Sequence, residues 1–244
     1  MRGLFILFIV ILFGADDKVV VNVPSAESEA QYIWRNVQDI QFFEKNGYQV
    51  AFPPVASLEN LKAKSRTQGL SNEDYQVLES ELKASVYAEE DYKAGYEKVE
   101  NALPLVNKML EKIKELELDW EFKMYDQYNV NLTLYGPGGS YNPDTGDITL
   151  FTTPQGQFKQ YENPANTIIH EIVHMGIEAS LINRYQVPHQ MKERIVDQFV
   201  MLNFKELLPD YRLQDMRDYR ADDIMKSTAD LKDLDKRIEK ILNE

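Results

Sequence analysis

The stretch Asn166-Thr167-Ile168-Ile169-His170-Glu171-Ile172-Val173-His174-Met175-Gly176-Ile177-Glu178 constrains the fold more than any other. It carries two of the chain's three histidines, yet Ile168, Ile169, Ile172, Val173, Met175 and Ile177 make it apolar on nearly every side. Such a helix has to be covered all round. Buried imidazoles then need partners, because an unsatisfied ring nitrogen costs free energy there. Two arrangements meet that need: core histidines satisfied by backbone or carboxylate, or a metal site. Four residues advance a helix by about 400°, so His170 and His174 lie one turn apart and about 40° around one face. Two ring nitrogens can then converge on one zinc at about 2 Å each. Glu171 flanks the same face, in position to take a proton from an attacking water.

A catalytic zinc wants three protein ligands and one open position. Glu178, His189, Glu193 and Asp197 follow the two histidines. Glu178 sits about 12 Å along the axis from His170 at ~1.5 Å per residue, so it is expected in an ion pair and not on the ion. His189 stands at the very start of a second helix announced by Pro188. Glu193 lies one turn inside that helix and Asp197 one turn further on the same face. Eighteen residues separate His174 from Glu193, enough to end one helix, turn, and lay the next alongside. Glu193 as ligand and Asp197 as acceptor of a ligand histidine's free N–H together supply the site and its support.

The pattern HExxH, eighteen residues, then Glu-x-x-x-Asp resembles the gluzincin zinc metallopeptidases, a group that includes thermolysin-like proteases and a family of zinc aminopeptidases. The resemblance covers Thr167 to Asp197. It implies one zinc per chain held by His170, His174 and Glu193, with Glu171 as general base and Asp197 orienting a ligand histidine. The implied reaction is hydrolysis of peptide bonds by a zinc-activated water. No counterpart of the aminopeptidase signature for a free substrate amine stands in the sequence. The group stabilising the oxyanion is open among His189, Tyr141 and Tyr161. The metzincin pattern fits less well, since the glycine falls at 176 and Ser180 stands where a third ligand belongs. A rival is a non-catalytic zinc-binding envelope module on the same scaffold, and a further one is an inert helical domain without metal.

The expected fold class is α+β: a zincin-like catalytic region over 118–208 made of a small antiparallel sheet, an active-site helix and a second ligand helix, a mainly helical region over 16–117, and a charged helical tail over 209–244. With 244 residues and 43% hydrophobic content the chain suits one domain with an appended module, or two small domains. Residues 16 to 30 read as a polar leader. Ser71 with Asp74 forms a capping box, Pro53 and Pro54 interrupt the helices, and Tyr87, Tyr92 and Tyr96 read as packing residues. Alternation at Leu118, Trp120, Phe122 and Met124, and again at Val130, Leu132 and Leu134, predicts strands. The glycine- and proline-rich 135–147 segment reads as a long hairpin turn, without the spacing or lysine of a phosphate loop. The strand returning from it, residues 147–153, is expected at the sheet edge, where an extended peptide would lie. A helix starts at Asn163-Pro164 and runs to about Leu181, and Leu231, Leu234, Ile238 and Leu242 mark one face of a terminal helix.

The first fifteen residues, one arginine followed by an apolar run, have the build of a signal peptide, or of an uncleaved anchor. The expected location is secreted, periplasmic or cell-envelope. The chain has no cysteine, so no disulfide supports it. A net charge of −13 opposes nucleic acid and anionic membrane surfaces. The expected partner is a peptide or protein substrate, with no membrane contact beyond the N-terminal segment.

Overall fold

Four short strands build the sheet in the computed structural model, which describes residues 18–215 and 218–243. The signal segment expected over 1–15 lies outside the described residues. The strands are β1 (Val19–Asn22), β2 (Tyr128–Thr133), β3 (Gly139–Asn142) and β4 (Asp147–Phe151), in the order β1-β2-β4-β3. The first three in that order run parallel and only β3 is antiparallel, at the edge beside β4. The sheet is therefore mixed where a small antiparallel one was expected; β1 reaches β2 through a long helical connection, which permits parallel pairing. Val19, Val21, Tyr128, Val130, Leu132, Ile148 and Leu150 supply the buried face. The other face is polar and cross-linked by side-chain amides, Asn22 to Asn131 at 3.1 Å and Asn129 to Asp147 at 2.9 Å.

The helices are α1 (Ala26–Gln38), α2 (Ile40–Asn46), α3 (Leu58–Arg66), α4 (Asn72–Ser85), α5 (Lys93–Lys114), α6 (Ala165–Ile177), α7 (His189–Phe204), α8 (Arg220–Ile224) and α9 (Leu234–Asn243). The architecture is therefore α+β. α5 and α6 cover the apolar face of the sheet and α7 packs on α6. The N-terminal helices keep a smaller core of their own, built from Ala30, Ile33, Val37, Leu61, Leu78 and Leu82. Ser71 and Asp74 form the reciprocal cap of α4. Of the packing tyrosines, Tyr92 is buried and donates to the buried Glu29 carboxylate at 2.7 Å.

Three local readings are corrected. The polar leader contains β1, a four-residue valine-rich strand too short to announce itself. Leu118 to Tyr125 forms no strand, because β1 takes the place beside β2. Its backbone bonds elsewhere instead: Lys123 N–H to the Gly176 carbonyl at 2.9 Å, and Asp119 N–H to that of Lys232 at 2.8 Å. Finally, β4 is an inner strand; the edge is β3, cut from the middle of the expected turn. The turn proper is Pro143 to Gly146, where Gly146 has φ +78° and its N–H returns to the Asn142 carbonyl at 3.1 Å.

Every residue of α6 is buried, as its all-round apolar composition requires. A wider π-type turn, Glu178–Asn183, carries the helix on. The C-terminal segment does not stand apart: Leu208, Tyr211, Ile224, Leu231, Leu234 and Ile238 share the main core. Arg194 on α7 holds Asp222 on α8 by paired bonds of 2.6 and 2.7 Å. No helix among the described residues is long and apolar enough to cross a membrane.

One glycine in α6 has a packing reason. A Cβ at Gly176 would fall 2.1 Å from the Phe122 ring, whose segment is already bonded to the Gly176 carbonyl. Gly176→Ala is therefore expected to destabilise the protein by ~1–3 kcal/mol through overpacking. Thermal melting should show a fall of roughly 3–10 °C, and an unchanged midpoint would contradict the contact.

Candidate metal centre

His170 and His174 project from consecutive turns of α6, and Glu193 faces them from the second turn of α7. His170 Nε2 and His174 Nε2 are 3.0 Å apart, and Glu193 Oε2 lies 3.1 Å from the latter and 3.6 Å from the former. A tetrahedral ion with ligand bonds near 2.0–2.1 Å has edges of about 3.3 Å. The triangle thus has the size a single ion needs. The donor chemistry fits as well, since two ring nitrogens facing each other can share only one proton, whereas a cation satisfies both. His170, His174 and Glu193 form a group able to bind a metal ion.

Protonation follows from the surroundings. Burial opposes charging His170, but the Asp197 and Glu193 carboxylates outweigh it and push the imidazole up to about 10. Burial takes His174 down to about 4 against the pull of Glu193. Burial alone would raise Glu193, yet its hydrogen bonds to both imidazoles hold it well below the ordinary carboxylate range. Only His170 therefore has to shed a proton to an incoming ion. Above about pH 7 and below about 10, metal affinity is expected to rise by close to tenfold per pH unit, as competition with a single proton requires. Calorimetric titrations in buffers of different ionisation enthalpy check this, and affinity independent of pH would exclude a charged His170.

The supports of the two histidines differ. Asp197, fully buried, lies 3.4 Å from His170 Nδ1. The closer path runs through Tyr211, whose hydroxyl accepts from His170 Nδ1 at 2.6 Å and donates to Asp197 Oδ1 at 2.8 Å. Burial and the Asp197 charge keep that phenol well above its ordinary value, so it stays a donor. His174 Nδ1 is buried with no hydrogen-bond partner among the described residues. Its ring is positioned instead by the Tyr141 ring, stacked at 5.0 Å and 11°. Tyr211→Phe removes the relay and leaves Asp197 short of a donor. Metal affinity should fall by about 10–100-fold, the usual cost of losing such a support. A competition titration with a chromophoric chelator reads the change.

Glu171 is buried, and burial first, with Glu193 adding, raises its carboxyl to about 7 against the opposing pull of His170 and Lys192. Its carboxylate lies against β3. A Cβ at Gly139 would come within 2.4 Å of Glu171 Oε1 and 2.7 Å of Thr167 Cγ2. Only glycine lets the edge strand approach so closely.

The remaining expected residues fall in different places. Glu178 stays out of the cluster and accepts from the Tyr141 hydroxyl at 2.8 Å, a hydrogen bond where an ion pair was expected. Tyr141 also accepts from Lys192 Nζ at 3.1 Å. Tyr161 is turned away: it stacks on Tyr211 and bonds to the Arg212 carbonyl. His189 is half exposed at the rim, with Nδ1 3.7 Å from Glu193 Oε1. Two residues at the site were not foreseen, Tyr211 and Gln214. Gln214 donates its backbone N–H to Asp197 Oδ2 at 2.6 Å and sets its carboxamide nitrogen 3.5 Å from His170 Nε2. The only sequence signal for either was their position shortly after α7.

The cluster opens into a cleft of about 400 Å³, lined on the metal side by His170, Glu171, His174 and Glu193 and bounded by the 137–141 segment. No family model, curated protein or solved structure matches the chain.

Proposed function

We propose that this chain is a zinc-dependent metallopeptidase of the gluzincin type, with a zincin-like catalytic region and a secreted or envelope location. The observation that carries the reading is the convergence of two imidazoles and one carboxylate from two helices, beside a buried glutamate and an open cleft. Zinc is the ion this donor set favours: two imidazoles and one carboxylate with a position left for substrate. When bound, it would polarise the scissile carbonyl and make the attacking water more acidic.

The chain's own groups supply the rest. Glu171, with a pKa near neutrality, accepts the water's proton and passes it to the leaving amine. Asp197 acts through Tyr211 to fix the His170 ring, and Tyr141 fixes that of His174. The outer edge of β3, which pairs with no further strand among the described residues, would receive an extended peptide. Gln214 offers carboxamide N–H donors on the open side of His170, the role for which His189, Tyr141 and Tyr161 were considered.

The test is cleavage of an unbiased peptide library by zinc-loaded protein, with one zinc per chain verified by mass spectrometry. Cleavage that stops on chelation supports the reading. A stoichiometric zinc with no cleavage would sink the peptidase and favour a non-catalytic binding module.

A further inference from the structure

One wall of the cleft comes from the N-terminal helical region, and it is aromatic. Phe42, Phe43 and Tyr48 line the same cleft as His170, Glu171 and Glu193. Helix α2 ends at Gly47 with φ +73°, and the Tyr48 N–H bonds back to the Phe43 carbonyl at 2.9 Å. That left-handed cap folds Tyr48 onto the helix. Its ring stacks on Phe42 at 6.1 Å and meets Phe43 edge-on at 6.0 Å.

Such rings would ordinarily be buried. Phe42 is 54% exposed and Tyr48 41%, and the only other large apolar side chains so open among the described residues are Val77 and Tyr219. The wall is also held in place. Ala51 and Gly136 exchange backbone bonds at 2.9 and 2.8 Å, and Lys159 Nζ bonds to the Gln49 carbonyl at 2.6 Å. The Tyr48 hydroxyl reaches His189 Nε2 at 3.5 Å, and His189 stands beside the ligand Glu193. An anchored aromatic surface facing a polar, acidic floor suits a ligand with one bulky apolar group next to a polar backbone.

We infer that Phe42, Phe43 and Tyr48 form a specificity wall that selects peptides carrying an aromatic or long aliphatic side chain close to the scissile bond. The inference rests on the peptidase reading for its substrate class, but its test is binding and does not need turnover. The probes are fluorescein-labelled glycine-serine peptides with one central residue, Phe, Leu, Ala or Asp. Their polarisation is read with zinc-loaded Glu171→Gln protein.

The Phe and Leu probes are expected to bind at least tenfold more tightly than the Ala probe, as burial of a large apolar side chain implies. The Asp probe should bind weakest. In Phe42→Ala/Tyr48→Ala the preference should shrink to within about threefold, with zinc content kept, since neither side chain belongs to either hydrophobic core. Equal affinity for the Phe and Ala probes, including no measurable binding of either, overturns the inference. So does a preference that survives the double substitution. Recruitment to neutral phosphatidylcholine vesicles lost in the double variant, without any peptide preference, would make the wall a membrane contact and overturn it too. A peptide preference in a protein that cleaves nothing would leave the wall standing and the hydrolase fallen.

Discussion

Glu171→Gln is expected to lower peptide hydrolysis by about 10²–10⁴-fold, the span that general acid–base catalysis by a positioned side chain supplies. Metal content should not change. The carboxylate is outside the triangle of His170, His174 and Glu193, and no hydrogen bond to another described residue ties it down. Burial holds its pKa at about 7, where a base has both an ionised population and the strength to take a proton. Glutamine keeps the volume and the packing against Gly139, so the loss isolates the proton transfer. Full activity in this variant, with zinc bound, would remove Glu171 from the chemistry.

The second large effect belongs to Glu193→Ala. The carboxylate is the only anion in the triangle, and both imidazoles outweigh its burial to keep it ionised. Its removal leaves two ring nitrogens 3.0 Å apart with no anionic ligand beside them. Metal affinity should fall by more than about 100-fold, beyond what losing an outer support costs. Stability should follow: saturating metal at about 100 times its Kd stabilises the wild type by roughly 2.7 kcal/mol, and the variant should gain little at that concentration. Melting curves with and without zinc check both halves. A variant that still binds zinc as the wild type does would assign the third ligand elsewhere.

What the sequence made legible was local. His170 and His174 share a face because of helical spacing, and that geometry holds wherever α6 packs. Glu193 and Asp197 were readable for the same reason on α7, and Ser71 with Asp74 marked its helix start by a contact three residues long. Tyr211 and Gln214 were not readable, because they come from an irregular stretch whose place beside His170 and Asp197 depends on how the chain after Pro209 returns to the core. β3 was hidden by its residues: Gly139, Ser140, Tyr141 and Asn142 carry turn chemistry and no apolar alternation, and Gly139 is required by a close approach that only the tertiary fold reveals. Leu118 to Tyr125 shows the opposite case. Its alternation is real, with Trp120 buried and Phe122 set against Gly176, but the pattern reports which side chains turn inward and not whether a ladder forms. Phe42 and Phe43 fall within the stretch expected to be mainly helical, and nothing local marks them out; they line the cleft because of where α2 lies.

In the proposed function α6 and α7 together hold one metal. Anomalous diffraction at the zinc edge from crystals of the zinc-loaded protein tests it most directly. A single peak is expected about 2.0–2.2 Å from His170 Nε2, His174 Nε2 and a Glu193 carboxylate oxygen. Zinc bound at another place, with these three groups still bonded only to one another, would contradict it.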